Sequence, residues 1–172
     1  MGASAWASQV PYQPDIAAAL QLARWEAYRA GDYYRQAPPH EARTMTEDEY
    51  VAWFAAKYGQ EHVSRLVRDE WRAAQIDPVD PDSLLAAQPF SGTHSVIDMT
   101  GVAELPGYNV VAPAPDDLIE TMFSTRTPAV ADVEAAVSAD RLDLYGRWHG
   151  TYVVGYEDGV PKTIFFIGHS GD

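Results

Sequence analysis

Tyr152-Val153-Val154-Gly155-Tyr156, then Glu157-Asp158-Gly159-Val160-Pro161, then Thr163-Ile164-Phe165-Phe166-Ile167: these segments read as a β-hairpin. Two β-prone runs flank Asp-Gly, a dipeptide that tolerates the left-handed backbone of a tight hairpin turn. The second run is apolar at consecutive positions, not alternate ones. Such a strand is buried on both faces, so helices cover at least one side of its sheet. The hairpin is therefore read as a structural spine. Its margins, Arg147-Trp148-His149 before it and His169 after it, are the nearer places to look for function.

Upstream the chain changes period. Asp15 can cap a helix over 15–30, and Gly31 can end it in the left-handed conformation. Ile16, Ala19, Leu20, Ala23 and Ala27 form its apolar stripe. Thr46-Glu47-Asp48-Glu49 matches the capping box and opens a helix through Tyr58, with Gly59 after it. Gln60–Gln75 reads as a further helix, with Val63, Leu66, Val67, Trp71 and Ala74 on its inward face. Asp80-Pro81 starts a short helix to Ala87. His94–Met99 and Asn109–Ala112 read as short strands. Pro115-Asp116-Asp117 and Thr127-Pro128 open two more helices, the second reaching Ser138. Helices first and strands last is the α+β pattern. The expected fold is a helical N-terminal half packed on a small, mostly antiparallel sheet that ends in the C-terminal hairpin. The Pro- and Asp-rich segment 76–89 is the one candidate internal boundary. Neither side of it looks large enough for a strong core of its own, so one domain over 1–172 is expected.

Composition narrows the function classes. The chain has 172 residues, 12% of them aromatic, which argues against disorder. It has no cysteine, so thiolate nucleophiles, disulfides and Cys-based metal sites are excluded. Met1–Val10 lacks the basic start and apolar run of a signal peptide, and a cytoplasmic location is expected. The formal charge is −13 and is uneven: residues 76–140 hold eleven acids against a single base, Arg126. An acidic middle repels phosphate backbones, so nucleic acid is not an expected partner. No run is long enough to span a bilayer, so a membrane is not one either.

Motifs for chemistry are absent. The five histidines, His40, His62, His94, His149 and His169, form no i, i+4 ligand pair, and no metal is assigned. Gly-x-Ser-x-Gly does not occur; Gly168-His169-Ser170-Gly171 matches it in composition only. No phosphate-binding glycine loop is present, so no nucleotide or other cofactor is assigned. The carboxylate pairs at 48–49 and 116–117 are explained by capping and helix dipoles. No catalytic residue is named. One feature stands out. Tyr12, Trp25, Tyr28, Tyr33, Tyr34, Tyr50, Trp53, Tyr58 and Trp71 crowd the first 75 residues, interleaved with Arg24, Arg29, Arg35, Arg65, Arg68 and Arg72. Those residue types pack helices and also anchor interfaces.

Pro11-Tyr12-Gln13-Pro14-Asp15, Ala19-Leu20-Gln21, Glu26 and Gly31-Asp32-Tyr33-Tyr34 resemble the opening of a group of bacterial hypothetical proteins. Gly150–Val154, Asp158-Gly159 and Ile164–Gly168 resemble the same group's ending. The resemblance covers the two ends of the chain and implies a bacterial origin and one continuous domain. It carries over no activity and no functional residue.

Two functions are weighed on these grounds. The first is a non-enzymatic protein-binding domain, an inhibitor or immunity-type protein for a basic partner. Asp77, Asp80, Asp82, Asp116, Asp117 and Glu120 would attract that partner and nearby aromatics would anchor it. The alternative is a small enzyme or ligand-binding domain with a pocket at the margin of the C-terminal sheet, built from His94, Arg147, Trp148, His149 or His169.

Overall fold

A computed structural model of the chain describes residues 4–142, 144 and 146–171. It carries the hairpin where the sequence places it. Asp158 and Gly159 both take left-handed φ, 50° and 75°. That geometry suits a two-residue turn whose twist matches its strands. They join β4 (His149–Glu157) to β5 (Val160–His169). Ile164, Phe165, Phe166 and Ile167 are buried in succession, as a central strand requires.

Three further strands complete the sheet: β1 (Ala5–Pro11), β2 (Gly101–Val102) and β3 (Val110–Pro113). The order is β1-β5-β4-β3-β2. β5 pairs antiparallel with β1 and β4, while β3 pairs parallel with β4 and with β2. The sheet is thus mixed, and the expectation of a mostly antiparallel sheet is corrected. The physical reason is the crossover between β3 and β4. It holds α6 (Asp116–Phe123) and α7 (Val130–Ser138), and a helical connection of that length brings the next strand back in the same direction.

The sequence expectations missed β1. Ala5–Pro11 has a single β-branched residue, Val10, so its strand character comes from its partner β5. The expected strand at His94–Met99 is also corrected: Val96–Asp98 is one 3-10 turn. The Ser95 hydroxyl accepts from the Ile97 N–H at 3.2 Å. The Asp98 carboxylate accepts both the Thr93 N–H, at 2.6 Å, and the Thr93 hydroxyl, at 2.8 Å. The segment satisfies its polar groups by folding on itself and has no use for a ladder.

The chain divides into two units. The sheet unit comprises residues 1–34 and 92–172. On one face of its sheet Val153, Phe165 and Ile167 pack with Ile119, Val133, Ala136 and Leu142. Alternation puts Trp6, Val10, Ile164 and Phe166 on the other face. There α1 (Ile16–Ala30) packs against β1, β2 and the 3-10 turn. The expected α1 caps are present: the Asp15 side chain accepts from Ala18 N–H at 3.0 Å, and Gly31 has φ 71°. Ala19, Leu20, Ala23 and Ala27 form its buried stripe. Trp6 lies over Gly168, where any side chain would collide with the indole, and borders Gly150, where a side chain would meet Val111 and Met99 first.

The helical unit comprises residues 35–91. It contains α2 (His40–Thr44), α3 (Glu47–Tyr58), α4 (Arg65–Ala74) and α5 (Pro81–Ala86). The Thr46–Glu49 capping box forms in both directions. The expected helix 60–75 is interrupted. A 3-10 turn, Gln60–His62, precedes Ser64, whose hydroxyl restarts the helix by accepting from Leu66 N–H. Among the described residues, seven α-helices and a five-stranded mixed sheet make an α+β protein, and no helix is long and apolar enough to cross a membrane.

Candidate interaction groove

The helical unit is organised by α3 and α4. Ala42, Tyr50, Val67 and Ala74 form its buried centre, with Met45, Val51, Trp53, Phe54 and Trp71 around them. Two buried polar groups are satisfied across the unit. The Trp71 Nε1–H donates to the Met45 carbonyl at 2.9 Å, and the Tyr50 hydroxyl donates to Glu70 Oε2 at 2.9 Å. Tyr50 is 1% exposed. Burial, and next the hydrogen bond to Glu70, hold its phenol well above the usual tyrosine range.

The helices' outer faces are ionic. Glu47 accepts from Arg68 at 2.9 Å and from Arg72 at 3.1 Å. The Arg68 hydrogen bond is the main reason that the Glu47 carboxyl sits below its ordinary range. Arg65 and Arg72 also meet Asp69. These arginines therefore belong to solvated ion-pair networks. In the sheet unit Arg24 is buried instead, donating to the Ile97 carbonyl at 3.2 Å and to Gln21 at 2.9 Å.

On another side, Phe54 and Tyr58 of α3, His62, Ser64, then Leu66, Val67 and Glu70 of α4, together with Phe90, line an open groove of about 560 Å³. Tyr58 is 50% exposed, Leu66 59% and Phe90 49%. Leu66 was expected on the inward face of a helix 60–75. Its exposure corrects that: α4 starts at Arg65, so Leu66 falls in the first turn, and Val67, Ala73 and Ala74 are buried. The Phe54 and Tyr58 rings touch at 4.7 Å, and the Lys57 ammonium lies over Trp53 at 4.6 Å. Glu70 is the one carboxylate among the groove's lining residues. It also borders an adjoining cavity of about 50 Å³, lined as well by Phe90, Pro38, Pro39, Ala73, Ala74 and Gln88. Tyr58 was visible in the sequence among the aromatics that crowd the first 75 residues. Glu70 and Phe90 were not, because nothing local marks a side chain whose role is set by packing 20 residues from its partner.

The acidic residues singled out by the sequence have local partners. Asp77 pairs with Arg43 at 2.9 Å, a contact that keeps its carboxyl below the ordinary range. Asp80 accepts from the Ser83 N–H at 2.7 Å as the cap of α5, and Asp82 is exposed in the first turn. Asp116 and Glu120 both meet Arg126, at 3.9 and 2.9 Å. Asp117 accepts from the Leu118 N–H. The first three belong to the helical unit and the last three to the sheet unit.

The sheet-margin residues separate by face. His149 and His169 are register partners across β4 and β5. The cavity beside them holds about 10 Å³, room for one water at most. His149 Nδ1 donates to the Arg147 carbonyl at 2.7 Å. Trp148, with φ 62°, places its ring over Gly92 and Gly171 and 5.5 Å from Tyr108. His94 stacks on Tyr34 at 4.6 Å and bonds Ser4 through Nδ1 at 3.3 Å. The buried acid of this region, Asp98, is engaged by Thr93 and, at 2.6 Å, by the Ser170 hydroxyl. Among the described residues no three His, Asp or Glu side chains form a metal-binding group. No protein-family model, curated protein or solved structure matches the chain.

Proposed function

We infer that this protein works by binding another protein, through the groove between α3, α4 and Phe90. The observation that carries this reading is the exposure of Tyr58, Leu66 and Phe90 together around one carboxylate, Glu70. Clustered exposed apolar side chains mark interaction sites, and aromatics are favoured at their energetic centres. An amphipathic helix would lay its apolar face in the groove and direct a lysine or arginine to Glu70. The formal charge of −13 supports a basic partner, since long-range attraction speeds such encounters. An inhibitor or immunity-type role toward a basic protein is the biological form that this binding suits.

The test is a titration with an amphipathic helical peptide carrying leucines and lysines on one face, followed by tryptophan fluorescence. Leu66→Glu puts a charge on the apolar wall without opening the buried centre. Losing that burial should weaken binding by about 2 kcal/mol, or more than tenfold. Glu70→Gln keeps an acceptor for Tyr50 and should weaken binding about two- to fivefold, less so at high salt. Equal affinity of the wild type and Leu66→Glu would remove the groove from the account.

A further inference from the structure

A second surface lies in the sheet unit, along β1. β1 is an outer strand, paired on one side only. The Ser170 N–H donates to the Ser4 carbonyl at 3.0 Å, and the Tyr12 N–H donates to the Lys162 carbonyl at 2.8 Å. The even-numbered residues therefore turn their backbone groups toward β5, and Ala5, Ala7 and Gln9 turn theirs outward. No described group pairs with those outward N–H groups. Sheet proteins usually blunt such an edge with lysine, proline or a bulge. β1 has no charged residue, its register with β5 is unbroken, and its one proline, Pro11, stands at the far end.

Beside this edge is a cavity of about 260 Å³. Four consecutive β1 residues, Ala5–Ser8, line it, so it runs along the strand. Asp32, just past the end of α1, and His94 line its other side. Asp32 is exposed and is the one carboxylate there; the lining residues include no lysine or arginine.

We propose that β1 is a docking edge for an extended segment of another protein, which adds to the sheet as a sixth strand and places a lysine or arginine side chain against Asp32. Strand geometry selects an extended occupant, because Ala5, Ala7 and Gln9 offer donors and acceptors at the two-residue repeat of a ladder. Charge selects the side chain and disfavours a second copy of the chain, which would bring another −13 to the same edge. This surface is separate from the groove of the helical unit, and either can fail without the other.

The experiment uses the full chain, labelled for amide NMR. The probe is a capped peptide of alternating threonine and valine with a central lysine. A matched peptide carries glutamate at the centre. The lysine peptide should protect the Ala5, Ala7 and Gln9 amides from exchange, and the glutamate peptide should bind more weakly. Asp32→Asn should lower affinity for the lysine peptide about two- to fivefold and leave the glutamate peptide no weaker. Ala7→Pro removes one outward N–H and no bond to β5, and should abolish the protection while thermal unfolding stays cooperative. Leu66→Glu should change none of this. The proposal is overturned if those amides stay unprotected at millimolar peptide. It is also overturned if light scattering finds a dimer with the same amides protected before peptide is added.

Discussion

Trp6 restricts the identity of its register partner across the sheet, Gly168. A Cβ at Gly168 would stand 2.4 Å from Trp6 Cζ2 and 2.5 Å from the His149 carbonyl oxygen. The indole could tilt away, but the carbonyl belongs to the ladder and cannot. Gly168→Ala is therefore expected to lose about 1–3 kcal/mol through overpacking. The loss should appear as a lower urea midpoint at unchanged slope; an unmoved midpoint would mean that the indole does not lie over this glycine. None of this was legible in Ala5-Trp6-Ala7, where the tryptophan has no local pattern to belong to. The same holds for Ser170 and Asp98, whose hydrogen bond spans 72 residues of sequence. Ser170 resembled part of a nucleophile motif when read locally. In space its hydroxyl donates to a buried carboxylate and holds the end of the chain.

At the scale of elements, legibility follows the range of the forces involved. Caps act within four residues, and Asp15, Thr46 and Asp80 each cap the helix that the sequence assigned to them. The hairpin turn is equally local. β1 and β2 depend on partner strands and carry no comparable local mark. The contact between α3 and α4 is also non-local, and it makes a prediction in pH. The Tyr50 phenol is held above its usual range by burial and by its bond to Glu70. In the unfolded chain a phenol ionises near pH 10, about its model value. Above that pH the unfolded state has lost a proton that the folded state keeps, so stability falls as pH rises. Tyr50→Phe removes this term and loses one hydrogen bond, worth about 1 kcal/mol. Melting curves of the two proteins should run parallel below about pH 10 and converge above it. Parallel behaviour up to pH 11 would show that the phenol titrates alike in both states.

At the scale of the whole chain, unit borders were the least legible feature. Composition pointed to the Pro- and Asp-rich segment 76–89, but that segment holds α5, and the borders fall at 34/35 and 91/92. Pro38-Pro39 and Pro89 lie close to these borders, but neither border carries a charge run. What joins the two parts of the sheet unit next to them is a long-range backbone bond: the Tyr34 N–H donates to the Thr93 carbonyl at 2.7 Å. The stacked Tyr34 and His94 rings extend the same junction. The two ends of the sheet unit's interrupted chain therefore lie side by side, the geometry that lets a segment be inserted without separating its flanks. Both cores described for the sheet, one on α1 and one on α6 and α7, are made of residues outside 35–91. Replacing 35–91 by a short Gly-Ser linker should therefore leave the sheet unit folded. The expected result is one cooperative thermal transition, with Trp6 and Trp148 retaining their near-UV signals, and with the β1 amides still answering the extended lysine peptide. Loss of cooperativity would mean that the inserted helices supply stability the sheet unit cannot provide. Retention would turn the excised chain into the cleanest background for the edge-strand test, since the groove around Glu70 would be gone and any remaining peptide binding would have to come from the sheet.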